Sequence, residues 1–556
     1  MTTAPLTSLQ AAIAAEAAAV AGTDDVNVEL GPPARPEHGD LATPVAMTLA
    51  KAAKRNPREI AEALAERLRA RPDTARALDA VEVAGPGFLN LRLSPAWFAG
   101  VARTVAAAGR EFGRGGAARP ERILLEFVST NPTGPIHIGH ARGASYGDSV
   151  GRILSFVGHE VTREYYINDY GRQMELFAAS VAARYAELAG AEPHMPEDGY
   201  PGEYVTDIAR GLREELGDAY DGRVSPPDAE TLELFGRRGG VLMLDVIRGT
   251  LDRFRVSFDD FFSERTLHEA GRVTAGVQRL VDSGDAYEAD GAVWFRTTNY
   301  GDEKDRVLVR SDGATTYLAA DVAYHLDKAA RMGDRMIDVL GADHHGYIGR
   351  LKAVLAAGGF DPDALEVLIM QLVSLTESGE AKRMSKRAGT IVLLDDLIDD
   401  IGVDAARFFL VERSHDTAFE LDLDLAREQS QENPVYYVQY AHARCCSILA
   451  KAESEGVARD ASAGPPQELD PSERALALRL AEWPRVVADA ADRRAPHRVV
   501  AYLKDLARDL HGFYHRCRVV GEAPEVQAFR MELTVATRDV VRRGLDLVGV
   551  TAPDRM

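Results

Sequence analysis

The sequence predicts an α/β protein: a parallel-sheet domain between an N-terminal α+β module and a C-terminal all-helical one. Three observations predict this. The apolar run "ILLEFV" is followed by a Gly/Pro loop, a helix-patterned stretch and a second apolar run, which is the order of a βαβ unit. From about residue 425 onward no strand pattern remains, and four stretches keep a 3.6-residue period. The 556 residues also exceed what one core usually holds.

Residues 1–112 open with an Ala-rich helix pattern, continue with "PVAMTLAKAAKRNPREIAEALAERLRA" and close on "VEVAGPGFLNLRL", a strand pattern broken by a tight turn. "GREFGRGGAARPER" reads as a linker. Over 113–424, "ILLEFV" is the continuous apolar run of a strand covered on both faces, "ARGASYGDSVGRILSFVG" its crossover helix and "EVTREYYIND" the next strand. Residues from about 185 to 265 are acidic and Pro-rich and read as an insertion. "YEADGAVWF" carries a D-G hairpin signal, and "RMIDVLGADHH" and "VLIMQLVSL" are further buried strands. Residues 425–556 predict four or more packed helices.

The N-terminus lacks a basic region, and no apolar run is long enough to span a membrane, so a cytoplasmic protein is expected. Cys445, Cys446 and Cys517 offer neither a disulfide framework nor metal-ligand spacing, and no structural zinc is expected. The net charge of −21 argues against a surface coated in nucleic acid. It is unevenly spread: residues 434–556 hold 18 Lys and Arg against 17 Asp and Glu. A polyanionic partner could therefore be met by the C-terminal part.

"NPTGPIHIGH", Asn131 to His140, follows the first buried run, at the carboxyl end of a strand where open α/β sheets bind ligands. Helix-start amides favour phosphate there. Gly139 lets a nucleotide ring approach the backbone, and His137 and His140 can donate to phosphoryl oxygens. The pattern suits stabilising charge on an α-phosphate rather than abstracting a proton; a Gly/Pro turn with incidental histidines is the competing reading. "EAKRMSKRAGT" at 380–390 clusters Lys382, Arg383, Lys386 and Arg387, point charges able to follow a departing pyrophosphate. Alone, it reads equally well as a solvated basic loop.

Glu126, an acid inside an apolar run, calls for a cationic partner. That partner is a substrate cation, or in a purely structural role Arg122 or Arg163. Asp321 lies four residues after Tyr317, on the same face if the segment is helical; a plain surface acid is the alternative. In "GADHHGY", a metal set of Asp343, His344 and His345 is not expected, because adjacent residues rarely converge on one ion.

"HIGH" at 137–140 and "RMSKR" at 383–387 together resemble the paired motifs of class I aminoacyl-tRNA synthetases. "LEFVSTNPTGPIHIGHARGASYGD", "YYINDYGRQM", "SDGATTYLAADVAYH", "NPVYYVQYAHAR", "VEVAGPGFLN" and the final "APDRM" resemble bacterial arginyl-tRNA synthetases over nearly the whole chain. The resemblance implies a Rossmann-like class I catalytic domain, an N-terminal domain touching the tRNA elbow and a helical anticodon-binding domain. It implies a ligase that activates L-arginine with ATP, Mg²⁺ travelling with the nucleotide, and transfers the arginyl group to the 3′ end of tRNA(Arg), with tRNA bound before activation.

His137, His140 and Lys386 then look catalytic. Gly139, Gly341, Asp343, His344, Met384 and Ser385 join them around ATP. Glu126, Ser129 and Asn131 look like contacts to the α-amino and carboxylate end of arginine, with Tyr317, Asp321 and His344 around the rest of it. Tyr436, Tyr440 and Arg444 look like tRNA contacts, within a set that also includes Arg493, Arg494, Arg498, Tyr437 and Phe513 and suits phosphate contact and base stacking. Arg383 and Arg387 replace the first Lys and last Ser of the usual KMSKS, and Gly134 stands where some arginyl enzymes place a lysine; both departures put the transition-state charge on Lys386. A monomer is expected. A class I synthetase for another amino acid and a non-catalytic tRNA-binding paralogue are the rival readings.

Overall fold

The computed structural model describes residues 4–24, 26–331, 333–381 and 392–556. The N-terminal part packs helices Pro5–Ala21, Val45–Ala53 and Pro57–Ala70 on a three-stranded antiparallel sheet whose central strand is Phe88–Leu93. The tight turn expected in "VAGPGF" joins Leu78–Ala84 to that strand as a hairpin. Its Gly87, at φ 145°, has no room for a Cβ, which would fall 2.9 Å from Pro57.

The central sheet has five parallel strands: β1 (Arg122–Glu126), β2 (Glu160–Ile167), β3 (Asp260–Ser263), β4 (Arg335–Gly341) and β5 (Leu365–Met370). They run in the order β5-β4-β1-β2-β3. The chain winds outward from β1 to one side and then returns to its other side at β4. The carboxyl ends of β1 and β4 therefore part to leave a crevice at the switch point. Helix α1 (Ile138–Val157) is the crossover from β1 to β2. It lies close on the sheet because Gly147 faces Phe127: a Cβ there would meet the ring at 2.5 Å.

The acidic stretch belongs to a helical crossover, Arg172–Leu188, Glu203–Leu216 and Ala229–Arg253, that begins before residue 185 and delivers β3 to the sheet. A small antiparallel sheet over 286–309 follows, turning at Asp290 and Gly291, both with positive φ. Helix α2 (Tyr317–Arg331) then leads into β4. After β5, α3 (Leu394–Val411) precedes the helical part: α4 (Pro434–Ser454), α5 (Pro471–Asp492), α6 (His497–Arg516) and α7 (Pro524–Leu547). Starts of α4 and α5 are fixed by the Asn433 and Asp470 side chains, each accepting from a first-turn amide.

The three parts are tied by buried polar contacts. Trp483 donates to the Phe112 carbonyl at 3.0 Å, and Arg474 binds Asp40 and the Leu93 carbonyl. Tyr146 of α1 donates to the Arg494 carbonyl. Among the described residues no helix is long and apolar enough to cross a membrane.

Candidate active site

A cleft of about 1260 Å³ opens at the carboxyl ends of β1 and β4. Its floor is the turn after β1. Val128 and Ser129 both sit at positive φ there, 70° and 43°, costing roughly 1–3 kcal/mol each for residues with a Cβ. Hydrogen bonds hold the turn: Ser129 Oγ donates to Glu126 Oε1 at 2.9 Å and accepts from the Tyr166 amide at 3.1 Å. Asn131 is fixed by Gln173. The strained turn presents Glu126, Ser129 and Asn131 to the cleft together.

Glu126 is buried, and its cationic partner is neither Arg122 nor Arg163 but Lys328, from the far end of α2, at 2.6 Å. Lys328 is fully buried and also pairs with Asp338 of β4. Tyr324 reaches both Glu126 and Glu164, and Arg331 grips Glu164 with two nitrogens. His325 completes the cluster on Asp338 at 3.2 Å. Three acidic groups thus face three basic ones behind the cleft. Burial alone would raise the Asp338 carboxyl, but the Lys328 charge and the His325 hydrogen bond hold it below its ordinary value. Burial opposes charge on His325, yet Asp338 lifts it above its ordinary value.

Two helical turns from Lys328 toward the cleft the balance changes. Asp321 accepts from Tyr347 Oη at 2.7 Å, and buried Glu264 accepts from Tyr166. Among the described residues neither acid is paired with a lysine or arginine; Glu264 has only His268, at 3.4 Å. Burial and the Asp321 charge push Glu264 up to about 7, and burial raises Asp321 as well. Arg350 also lines the cleft, 5.3 Å from the Tyr347 ring, but it pairs with Asp302, and Tyr317, 61% exposed, lines the cleft too. Asp321 is therefore not a plain surface acid. Glu264 and Tyr347 had no distinguishing sequence signal: "FFSERTLHE" reads as an ordinary amphipathic segment.

At the other end, His137 is the N-cap of α1; its Nδ1 accepts from the Gly139 amide at 3.1 Å, which leaves Nε2 as the protonated nitrogen of a neutral ring. The His140 ring lies 3.9 Å from it. A Cβ at Gly139 would come within 2.8 Å of the His137 ring. Gly139→Ala is therefore expected to turn that ring and lower the reaction roughly tenfold or more, since small misplacements of a positioning group carry such costs. The unfolding midpoint should hold, because alanine is the better helix former; an unchanged rate would show the ring position to be unimportant.

Gly341, at the end of β4, and Asp343 and His344, just after it, also line the cleft, and His344 is near enough to Asp321 to favour its charged form. Met384, Ser385 and Lys386 lie outside the described residues. The chain on their C-terminal side is nevertheless placed: Ile138 donates to the Val392 carbonyl at 3.0 Å and Leu394 to the Ile136 carbonyl at 2.9 Å. Two stretches about 250 residues apart in sequence are thus stitched backbone to backbone beside His137.

Residues 107–432 match the model described as "tRNA synthetases class I (R), catalytic domain", 7–93 the arginyl tRNA synthetase N terminal domain and 438–556 the DALR anticodon binding domain. The arginine-tRNA ligase of Kineococcus radiotolerans is 47% identical over 99% of this chain and 98% of its own, and that of Carboxydothermus hydrogenoformans 44% identical over 96% and 95%. The chain belongs to the arginyl-tRNA synthetase family. The solved arginyl-tRNA synthetase of Thermus thermophilus superposes with a TM-score of 0.75 at 25% identity, covering 99% of this chain and all of the other. A methionyl-tRNA synthetase of Mycobacterium tuberculosis, at 16% identity and TM-score 0.56 over 78% and 92%, shares the fold.

An arginyl-tRNA synthetase also binds tRNA, a polyanion. A second cavity, of about 880 Å³, is lined by Tyr440, Arg444, Lys451, Tyr514, Arg518 and Arg555. Arg444 lies over the rings of Tyr440 and Tyr514, and Tyr436 stacks one turn along from Tyr440. The other C-terminal candidates sit elsewhere. Phe513 is core, Arg494 is buried against Glu366 of the catalytic part, and Arg493 and Arg498 both pair with Asp489. Helical periodicity alone cannot tell a lining aromatic from a core one.

Proposed function

We infer that this chain is an arginine-tRNA ligase, forming arginyl-adenylate and pyrophosphate from L-arginine and ATP and then esterifying the 3′ end of tRNA(Arg). The observation that carries the specificity is the Asp321 and Glu264 pair, a half-buried and a buried acid that among the described residues have no lysine or arginine partner. A guanidinium supplies the missing charge with a planar fork that two carboxylates accept. Glu126, Ser129 and Asn131 would take the α-amino and carboxylate end, and Tyr317 would close over the side chain.

His137 Nε2, His140 and Lys386 would bind the phosphates and stabilise the charge that develops at the α-phosphorus. Gly139, Gly341, Asp343 and His344 would leave room for and contact the nucleoside, with Met384 and Ser385 beside the phosphates. Mg²⁺ would arrive with ATP, held by its phosphates rather than by a protein cage. Tyr436, Tyr440 and Arg444 would stack and pair with unpaired anticodon bases, and the N-terminal part would touch the tRNA elbow. We place the protein in the cytoplasm, as a monomer, with domains at 1–112, 113–424 and 425–556.

Pyrophosphate exchange with tRNA present tests the reading. Arginine should support exchange and other amino acids should not; exchange with another amino acid alone would refute the specificity. Lys386→Ala should lower the arginine-dependent rate roughly 10²-fold, as loss of one contact to transition-state charge does, with tRNA affinity unchanged. A rate within about twofold of the unaltered protein would refute its role.

A further inference from the structure

We propose that His442, Cys446 and Asp554 bind one thiophilic divalent cation of the zinc class, clasping the C-terminal tail to α4. The three cysteines show no ligand spacing along the chain, which is why sequence reasoning expected no such site; the cluster exists because the tail after α7 folds back. His442 and Cys446 are four residues apart on α4 and share a face. A ring nitrogen of His442, Cys446 Sγ and an Asp554 carboxylate oxygen all lie within 4.8 Å of one another. Sγ is 3.6 Å from Asp554 Oδ1 and 3.9 Å from His442 Nε2. Sulfur at about 2.3 Å and nitrogen or oxygen at about 2.0–2.2 Å from a tetrahedral zinc stand about 3.6 Å apart, close to the two sulfur separations here; Sγ is also 3.8 Å from His442 Nδ1, so the ring must swing to aim Nε2 at an ion shared with Sγ.

The histidine already has the tautomer the task needs. Its Nδ1 donates to the Pro553 carbonyl at 2.9 Å, which leaves the lone pair on Nε2, the arrangement that backs most metal-bound imidazoles. The Cys446 thiol donates to Asp554. A divalent ion would take the place of that one proton, releasing it to solvent as the sulfur–metal bond forms, and water would fill the fourth position. The competitor is Arg542, 3.8 Å from Asp554, in a loose ion pair whose two side chains are well exposed. Such pairs are weak.

The consequence reaches the basic cavity. Arg555 and Met556, directly after Asp554, line it opposite Tyr440 and Arg444 on the same helix α4. An ion on Asp554 would fix one wall of that cavity.

Titration of the chelator-treated full chain with Co²⁺ decides the matter. One equivalent is expected to give thiolate-to-cobalt charge-transfer absorption and tetrahedral ligand-field bands, both displaced by Zn²⁺. Cys446→Ser should abolish the charge-transfer band, and Asp554→Asn should weaken binding at least tenfold. Circular dichroism should show both variants folded, since these side chains are half-buried and exposed. No band in the unaltered protein, a band that persists in Cys446→Ser, or affinity unchanged in Asp554→Asn would each overturn the proposal.

Discussion

Lys328→Met is expected to cost about 3–5 kcal/mol of unfolding free energy, enough to leave much of the protein unfolded at moderate temperature. Lys328 has no exposed surface and stands between Glu126 and Asp338. Methionine fills nearly the same volume, so packing is kept and the loss is electrostatic: two buried acids lose their shared cation while His325 and Tyr324 cannot replace it. Denaturant unfolding measures the effect. A change below about 1 kcal/mol would show that the cluster relaxes by taking up protons or water. The double variant Lys328→Met with Asp338→Asn should recover part of the loss, because the two sites share one network.

Asp321→Asn is expected to raise the KM for arginine by about 4 kcal/mol equivalent, close to 10³-fold, with the KM for ATP nearly unchanged. Truncating one partner of a buried charged pair costs in this range. Asparagine keeps the shape and the Tyr347 hydrogen bond but replaces a charged acceptor by an amide. If only the ATP KM moved, the guanidinium would have to lie elsewhere.

The partner acid sets a pH dependence. Burial and Asp321 hold Glu264 protonated up to about 7 in the free protein, whereas a bound guanidinium needs it ionised. Binding therefore expels a proton, and the arginine KM should rise as pH falls below 7, by roughly tenfold per unit for one proton, and flatten above it. Glu264→Gln should raise the KM at pH 8 and remove most of that slope. A slope unchanged in Glu264→Gln would assign the proton to another group, Asp321 first.

Much of the fold was legible because its signals are local. Continuous apolar runs mark strands covered on both faces, 3.6-residue periods mark the C-terminal helices, and Asp290-Gly291 marks a hairpin. The proximity of His137, Gly139 and His140 was legible for the same reason: they occupy the first turn of α1, so it follows from chain connectivity. The acidic segment was less so, since a stretch of polar composition can loop out or cross over, and only the pairing of β3 with β2 shows that it crosses.

By itself the sequence singled out the candidates for the chemistry: two histidines after a buried strand, Lys386 in a basic stretch, and acids at 126 and 321. What it could not determine was the company they keep. Glu126 meets Lys328 and Tyr324 across some 200 residues, Glu264 joins Asp321 from another crossover, and Val392 pairs with Ile138. Charge balance is a property of neighbours in space. Whether an acid is satisfied within the chain or left for a substrate cation was decided only when the sheet brought β1, β4 and α2 together.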